Sequence, residues 1–161
     1  SKEPIKLCLG QPIPQNPELV DYHSNPTNPV ISKRLFNILS PLNIYGIQLV
    51  PAKVRNPNGG PFDEPRDYWF MHVWNRIACL DKNKSELELY DDGDIFSIER
   101  LSLNETILGQ VDLKHRQIFE LADNTSTLLI HQSVKDAILS IDPVGCRFFK
   151  ATEWNSDIVF D

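Results

Sequence analysis

Residues 68–85, YWFMHVWNRIACLDKNKS, admit two readings with different consequences for the whole chain. As a β-strand, the run is a set of aromatic and branched side chains laid on a sheet. As a site, it offers Cys79 as a nucleophile and His72 as its base. The spacing favours the strand. Seven residues separate His72 from Cys79, and an odd separation puts two side chains on opposite faces of a straight strand. His72 shares its face with Phe70 and Trp74, as a polar side chain packed on or beside a sheet. The DKNKS end imitates a calcium loop through Asp81, Asn83 and Ser85, but Glu86 stands where such a loop needs Gly, and Asp92 where it needs a bidentate Glu. It reads as a turn between strands.

Working outward toward the N-terminus, RNPNGGPFDEPRD (55–67) is a Pro- and Gly-rich loop, and IQLVPAKV (47–54) before it has the branched apolar content of a strand. Two strands joined by a long loop follow. A loop of this length is uncommon without a role, so it is expected to be exposed and either mobile or used in binding. Further back, Ile31, Leu35, Ile38 and Leu39 fall at i, i+4, i+7 and i+8, one apolar face of a short helix. Asn28 and Pro29 supply its cap and first turn, and Pro41 stops it. Residues 1–29 hold six prolines, too many for a helix or a central strand, and read as an extended arm.

Toward the C-terminus, SELELYDDGDIFSIERL (85–101) alternates Leu87 and Leu89 with acids, turns at Asp92-Gly93, and alternates Phe96 and Ile98 on the return. That is a hairpin with an acidic polar face. RQIFEL (116–121) and STLLI (126–130) are short strands around the loop ADNT. Residues 133–141 have the helical pattern, with Ser133 and Asp136 spaced as a capping box and Val134, Ala137, Ile138 and Ile141 as the packed face. At a constant offset of 99, residues 30–52 align with 129–151, Gly46 meeting Gly145 and IQLVPA meeting CRFFKA: either a repeated helix-Gly-strand unit, or two units of one common type that align by chance. The expected fold is α+β: a largely antiparallel β-sheet of about five to seven strands with two short amphipathic helices. Residues 1–29 form the arm and 30–161 one domain.

With 161 residues, 41% hydrophobic and 24% charged, the chain is long enough to bury a core without staples. No apolar run reaches the length of a membrane span and no basic-then-apolar leader opens it, so a cytoplasmic protein without a membrane partner is expected. The 22 acids outweigh 16 bases for a net charge of −6. Binding to a phosphate backbone needs clustered cations, so nucleic acid is excluded as a partner and a basic protein surface is favoured. Between Asp81 and Glu105 lie eight acids and three bases, a balance of −5.

The three cysteines form no CxxC pair and the four histidines never stand at i, i+3 or i, i+4 with a Cys or another His. No GxGxxG, GxxxxGK[ST] or GxSxG occurs. No catalytic, cofactor-binding or metal residue is therefore assigned. The competing reading is a small hydrolase using Cys79 or Cys146 with His72 or His131; a third is a structural scaffold subunit.

The order of the helix VISKRLFNIL, the strand GIQLVPAKV, the stretch YWFMHVWNRIACLDKNKS, with Asp81 and Ser85, and IFELADNTSTLLIHQSVKDAILSIDPVGCRFF resembles the bacterial immunity protein family numbered eleven among polymorphic toxin systems, formerly a domain of unknown function. The resemblance covers roughly residues 30–152 and does not extend to the arm. It implies a cytoplasmic, non-enzymatic antitoxin that neutralises a toxin exchanged between competing bacteria by binding it. Charge then places the partner-binding face on the acidic hairpin, at Glu88, Tyr90, Asp91, Asp92 and Asp94, where an aromatic sits among carboxylates.

Overall fold

In the computed structural model, residues 3–8, 19–24, 28–55 and 66–159 are described. The stretch that opened the reading is a strand: β5, Arg66–Val73, lies antiparallel to β4, Ile47–Arg55, with Leu49 opposite Met71 and Ala52 opposite Tyr68. Of the loop expected over 55–67 to be exposed and either mobile or used in binding, Arg55 belongs to β4 and Arg66 and Asp67 to β5, and 56–65 lies outside the described residues.

β4 and β5 are the centre of a five-stranded sheet. Within residues 1–29, β1 (Ile5–Cys8) runs parallel to β4, and β2 (Tyr22–His23) pairs with β3 (Val30–Ser32), which pairs with β5. Val30 and Ile31 thus belong to a strand, and α1 begins later than the periodicity predicts, at Lys33–Leu39, capped by Ser32, whose Oγ accepts from the Leu35 amide at 3.2 Å. Asn28 and Pro29 are not the cap. Each supplies an acceptor to β5 instead: Asn28 Oδ1 to Val73 N, and the Pro29 carbonyl to Met71 N. Pro41 does not end the turn of chain but enters a 3₁₀ turn, Ser40–Leu42.

β6 (Arg76–Ile77), β9 (Ile118–Leu121) and β10 (Asn124–Ile130) form a three-stranded sheet in the order β10-β9-β6, parallel between β6 and β9. β7 (Glu86–Leu89) and β8 (Ile95–Arg100) pair as the expected hairpin, a separate two-stranded sheet. A short α2 (Glu105–Gly109), which the periodicity did not suggest, follows it, and α3 occupies Gln132–Leu139. The α+β expectation holds, with mostly antiparallel pairing, but the strands divide among three sheets. The α3 cap is also not the predicted one: His131 Nδ1 accepts from Ser133 N at 3.1 Å, while Asp136 takes a hydrogen bond from Gln132.

One core lies between the large sheet and the two longer helices: Ile31, Met71 and Val73 face Leu35 and Leu39 of α1, Val134 and Ile138 of α3, and Ile118 of β9. A second gathers Ile77, Cys79, Leu80, Ile98, Leu101, Phe119 and Leu121 beneath the hairpin. β9 serves both, Ile118 pointing one way and Phe119 and Leu121 the other, as expected of a strand buried on both faces.

The 99-residue repeat survives in the backbone. The caps Ser32 and His131, the left-handed Asn43 (φ 48°) and Asp142 (φ 47°), and the left-handed Gly46 and Gly145 all stand at the same offset. The strand half is lost, because residues 146–150 form no strand.

Candidate functional site

The hairpin β7–β8 is seated by Leu87, Ile95 and Ile98 on the second core. It ends in a three-residue turn, Asp91–Gly93. Gly93 N donates to Tyr90 O at 2.9 Å, Tyr90 N to Asp94 O at 2.8 Å, and Asp94 N to the Asp92 carboxylate at 3.0 Å. Asp92 is thus part of the turn's own bonding, as its short side chain readily allows. Two register irregularities, after Glu86 and after Glu88, break the strict alternation. Both extra residues, Glu99 and Phe96, lie in β8, which turns Phe96 out, while Leu89 keeps the face of Leu87 without packing on the second core; Leu89 and Phe96, expected to face inward, are each 53% exposed, beside Tyr90 at 54%. Tyr90 and Phe96 meet edge to face, centroids 5.0 Å apart.

The charge on this tip is concentrated by where the bases go. Arg100 pairs with Glu86 at 3.1 Å, Lys82 reaches across to Asp123 at 3.1 Å, and Lys84 folds back on Asp81. Among the described residues, Glu88, Asp91, Asp92 and Asp94 make no ion pair. Glu99, lower on the hairpin, is held by hydroxyls: Ser156 Oγ at 2.5 Å and Ser97 Oγ at 2.6 Å, which keep its carboxyl below the ordinary range. All five residues singled out from sequence therefore share one exposed end of one hairpin. Leu89 and Phe96 belong with them and were missed, since strict alternation would bury both; Phe96 is the extra residue of a β8 bulge, and Leu89 does not pack on the second core that holds Leu87.

The other sequence candidates fall apart spatially or are used structurally. Cys79 is fully buried, and that burial pushes its thiol up to about 11, far from the thiolate a nucleophile needs at neutral pH. Burial also raises the Cys146 thiol. His72 faces solvent and the His131 ring is committed to the α3 cap. Asp81 closes its turn by accepting from Asn83 N and Lys84 N, both at 3.1 Å, and Ser85 Oγ bridges to the backbone of Ser102. No group of three His, Cys, Asp or Glu among the described residues is placed to hold a metal ion, and no described helix is long and apolar enough to cross a membrane. A second ring cluster sets Tyr45 against Trp74 at 4.9 Å and against His115 at 4.3 Å.

No curated protein matches the chain significantly. The family model described as Immunity protein family (Imm11) matches residues 3–153. The match extends through the arm, well before the residue 30 at which the resemblance began. It takes in the arm strands β1 and β2, the hairpin and both cores, so nearly the whole folded unit is accounted for by one family: this chain belongs to the Immunity protein family (Imm11).

Proposed function

We propose that this protein neutralises a cognate bacterial polymorphic toxin in the cytoplasm by protein–protein occlusion, without catalysis and without a cofactor. The observation that carries this reading is the hairpin tip, where the half-exposed side chains of Leu89, Tyr90 and Phe96 sit among four carboxylates that make no ion pair among the described residues, on a turn closed by its own hydrogen bonds. Aromatic anchors ringed by polar groups are the arrangement enriched at binding hot spots. The carboxylates call for a partner with a basic surface, as in a cleft that handles nucleic acid or nucleotides, and would steer its approach. Glu88, Tyr90, Asp91, Asp92 and Asp94, with Leu89 and Phe96, form the proposed contact. In the same reading residues 30–161 are one immunity-type domain and 1–29 its arm.

The test uses the cognate toxin, sought first as the product of the adjacent gene. Converting Asp91, Asp92 and Asp94 to Asn keeps an acceptor at position 92 for the turn while removing charge. Association should slow about tenfold or more at low salt, with a flatter salt dependence, and Tyr90→Ala should speed dissociation. Tyr45→Ala, in the second ring cluster, is the control. Full protection and unchanged kinetics for the tip variants, with loss for Tyr45→Ala, would move the interface to the other cluster.

A further inference from the structure

The main core is closed by regular elements on most of its wall and by an irregular run on the rest, and the two do not fill it. Leu35 of α1, Ile138 of α3, Ile31 of β3 and Ile118 of β9 come from the regular part. Gly145, Cys146 and Phe148 come from the run that forms no strand. Among these side chains lies an apolar cavity of about 180 Å³. Packed interiors hold few voids larger than a water molecule, so this one is large for its setting.

Its wall says what fits there. Polar side-chain atoms reach it only from Tyr22, Cys146 and Arg147. The Arg147 guanidinium lies over the Phe149 ring, 5.1 Å from its centroid. Burial raises both the Tyr22 hydroxyl and the Cys146 thiol, the mark of surroundings poor in water. A buried water is held by about three polar partners, which a wall this apolar is ill suited to supply. An apolar cavity of about 150 Å³ stays dry and admits benzene. Entry is short, because Leu128, Ile130, Arg147 and Phe148 also line a second, larger groove, and one layer of side chains separates the two.

We propose that this cavity is a binding site for a neutral, apolar small molecule the size of one substituted aromatic ring. Burial of the ligand's surface supplies the affinity. Size supplies the selection, since a wall drawn from two helices and two sheets expands little. The site touches Tyr22 of the arm together with α1, α3 and β10, so an occupied cavity stabilises all four against unfolding by mass action. No wall residue belongs to β7 or β8, and the site stands whether or not the hairpin tip binds a toxin.

The probes are benzene and toluene, titrated into the full chain and followed by methyl NMR and calorimetry. Both are expected to shift the methyl signals of Leu35, Leu128, Ile130 and Ile138 saturably, while those of Ile98, Leu101 and Leu121 in the second core stay in place. Binding should raise Tm and carry the negative heat-capacity change of apolar burial. Benzylammonium, of similar shape but charged, should bind at least about tenfold more weakly on the unaltered protein, because the cavity cannot replace its hydration. Leu128→Phe and Ile130→Phe add bulk to the wall, and each should weaken toluene binding about tenfold or more. Shifts that do not saturate, that spread equally over both cores, that benzylammonium reproduces, or that folded Phe variants retain in full overturn the proposal. So do shifts at Leu35 and Ile138 that grow with protein concentration without any probe, since a side chain of a second copy would then be the occupant. Should neither Phe variant fold, the comparison of toluene with benzylammonium decides.

Discussion

Gly46 sits at φ +89° with the Asn75 side chain where its own would go: a Cβ there would lie 2.1 Å from Asn75 Cβ. Asn75 cannot give way easily, because its Nδ2 holds the carbonyls of His115 and Ile118 at the entry to β9. Gly46→Ala combines a left-handed Ala with overpacking and should cost about 2–5 kcal/mol, read by denaturant unfolding; a loss under 1 kcal/mol would mean that Asn75 is not fixed. Gly145→Ala meets Val20 Cβ at 2.8 Å in the same way. The pair of glycines was visible in the sequence through the offset of 99, whereas Asn75 was not, because its partners lie 40 and 43 residues away. Cys79 gives a second residue-scale prediction. Its thiol titrates near 9.0 when unfolded and near 11 when folded, so the unfolded chain ionises first as pH rises. Its contribution to stability is complete below pH 9.0 and falls away from there to about pH 11, by proton linkage. Tyr22, raised mainly by burial, acts in the same direction. Replacing Cys79 by Ala should flatten the alkaline slope of stability, and native thiol labelling of Cys79 should stay slow at neutral pH. Selective, rapid alkylation at pH 7 would revive the hydrolase reading.

At the scale of elements, the local period identified most strands and both longer helices, and it failed at their ends. Helix starts went to whichever acceptor the tertiary structure left over: Asn28 was needed by the Val73 amide, so Ser32 caps α1, and His131 caps α3, although His is not a preferred capping residue. The hairpin was found but its facing was half wrong: the β8 bulge that turns Phe96 out carries no strong sequence signal, and Leu89 shares the face of Leu87 without reaching the second core. The CRFF run has strand propensity and no strand: Gly145 is held against Val20 and Tyr22, and the chain leaving it packs Cys146 and Phe148 onto the core instead of closing on β10. Of the candidate site, the acids and Tyr90 were legible as composition, while the exposure of Leu89 and Phe96 was not. The helical faces lend themselves to measurement. Leu35, 1% exposed, and Ile138, 6% exposed, oppose each other in one core, and each change to Ala should cost about 2–5 kcal/mol. Because the two share a core, the double variant should depart from additivity. Unaltered melting for both single variants would place the α1–α3 contact elsewhere.

At the scale of the molecule, charge is put to two uses that salt distinguishes. The hairpin carboxylates stand in solvent, where a Debye length of about 8 Å at physiological ionic strength screens them. They should matter for association and hardly for stability. Asp21 is the contrary case. Only 4% exposed, it takes a hydrogen bond from Ser32 Oγ at 2.6 Å, from Arg34 at 3.1 Å and from Val144 N at 2.9 Å. Its own backbone adds Asp21 N to Val144 O and Ser32 N to Asp21 O, both 2.8 Å. One carboxylate from the arm thus ties β2, the start of α1 and the turn before Gly145 together, and Arg34 extends the tie by donating to the Ile141 carbonyl. Asp21→Ala leaves the Val144 amide and the Ser32 hydroxyl without their acceptor. Arg34, 56% exposed, can resolvate, which limits the loss. The change should cost about 2–5 kcal/mol, and about the same at low and high salt, since the buried carboxylate is little screened. The triple change of Asp91, Asp92 and Asp94 to Asn should stay within about 0.5 kcal/mol of the parent while altering association. Measuring both proteins by urea unfolding at two salt concentrations checks this division. A stability loss for Asp21→Ala that disappears in high salt would show that the arm is held by surface charge, and that the buried junction between residues 21, 32 and 144 does not hold the fold together.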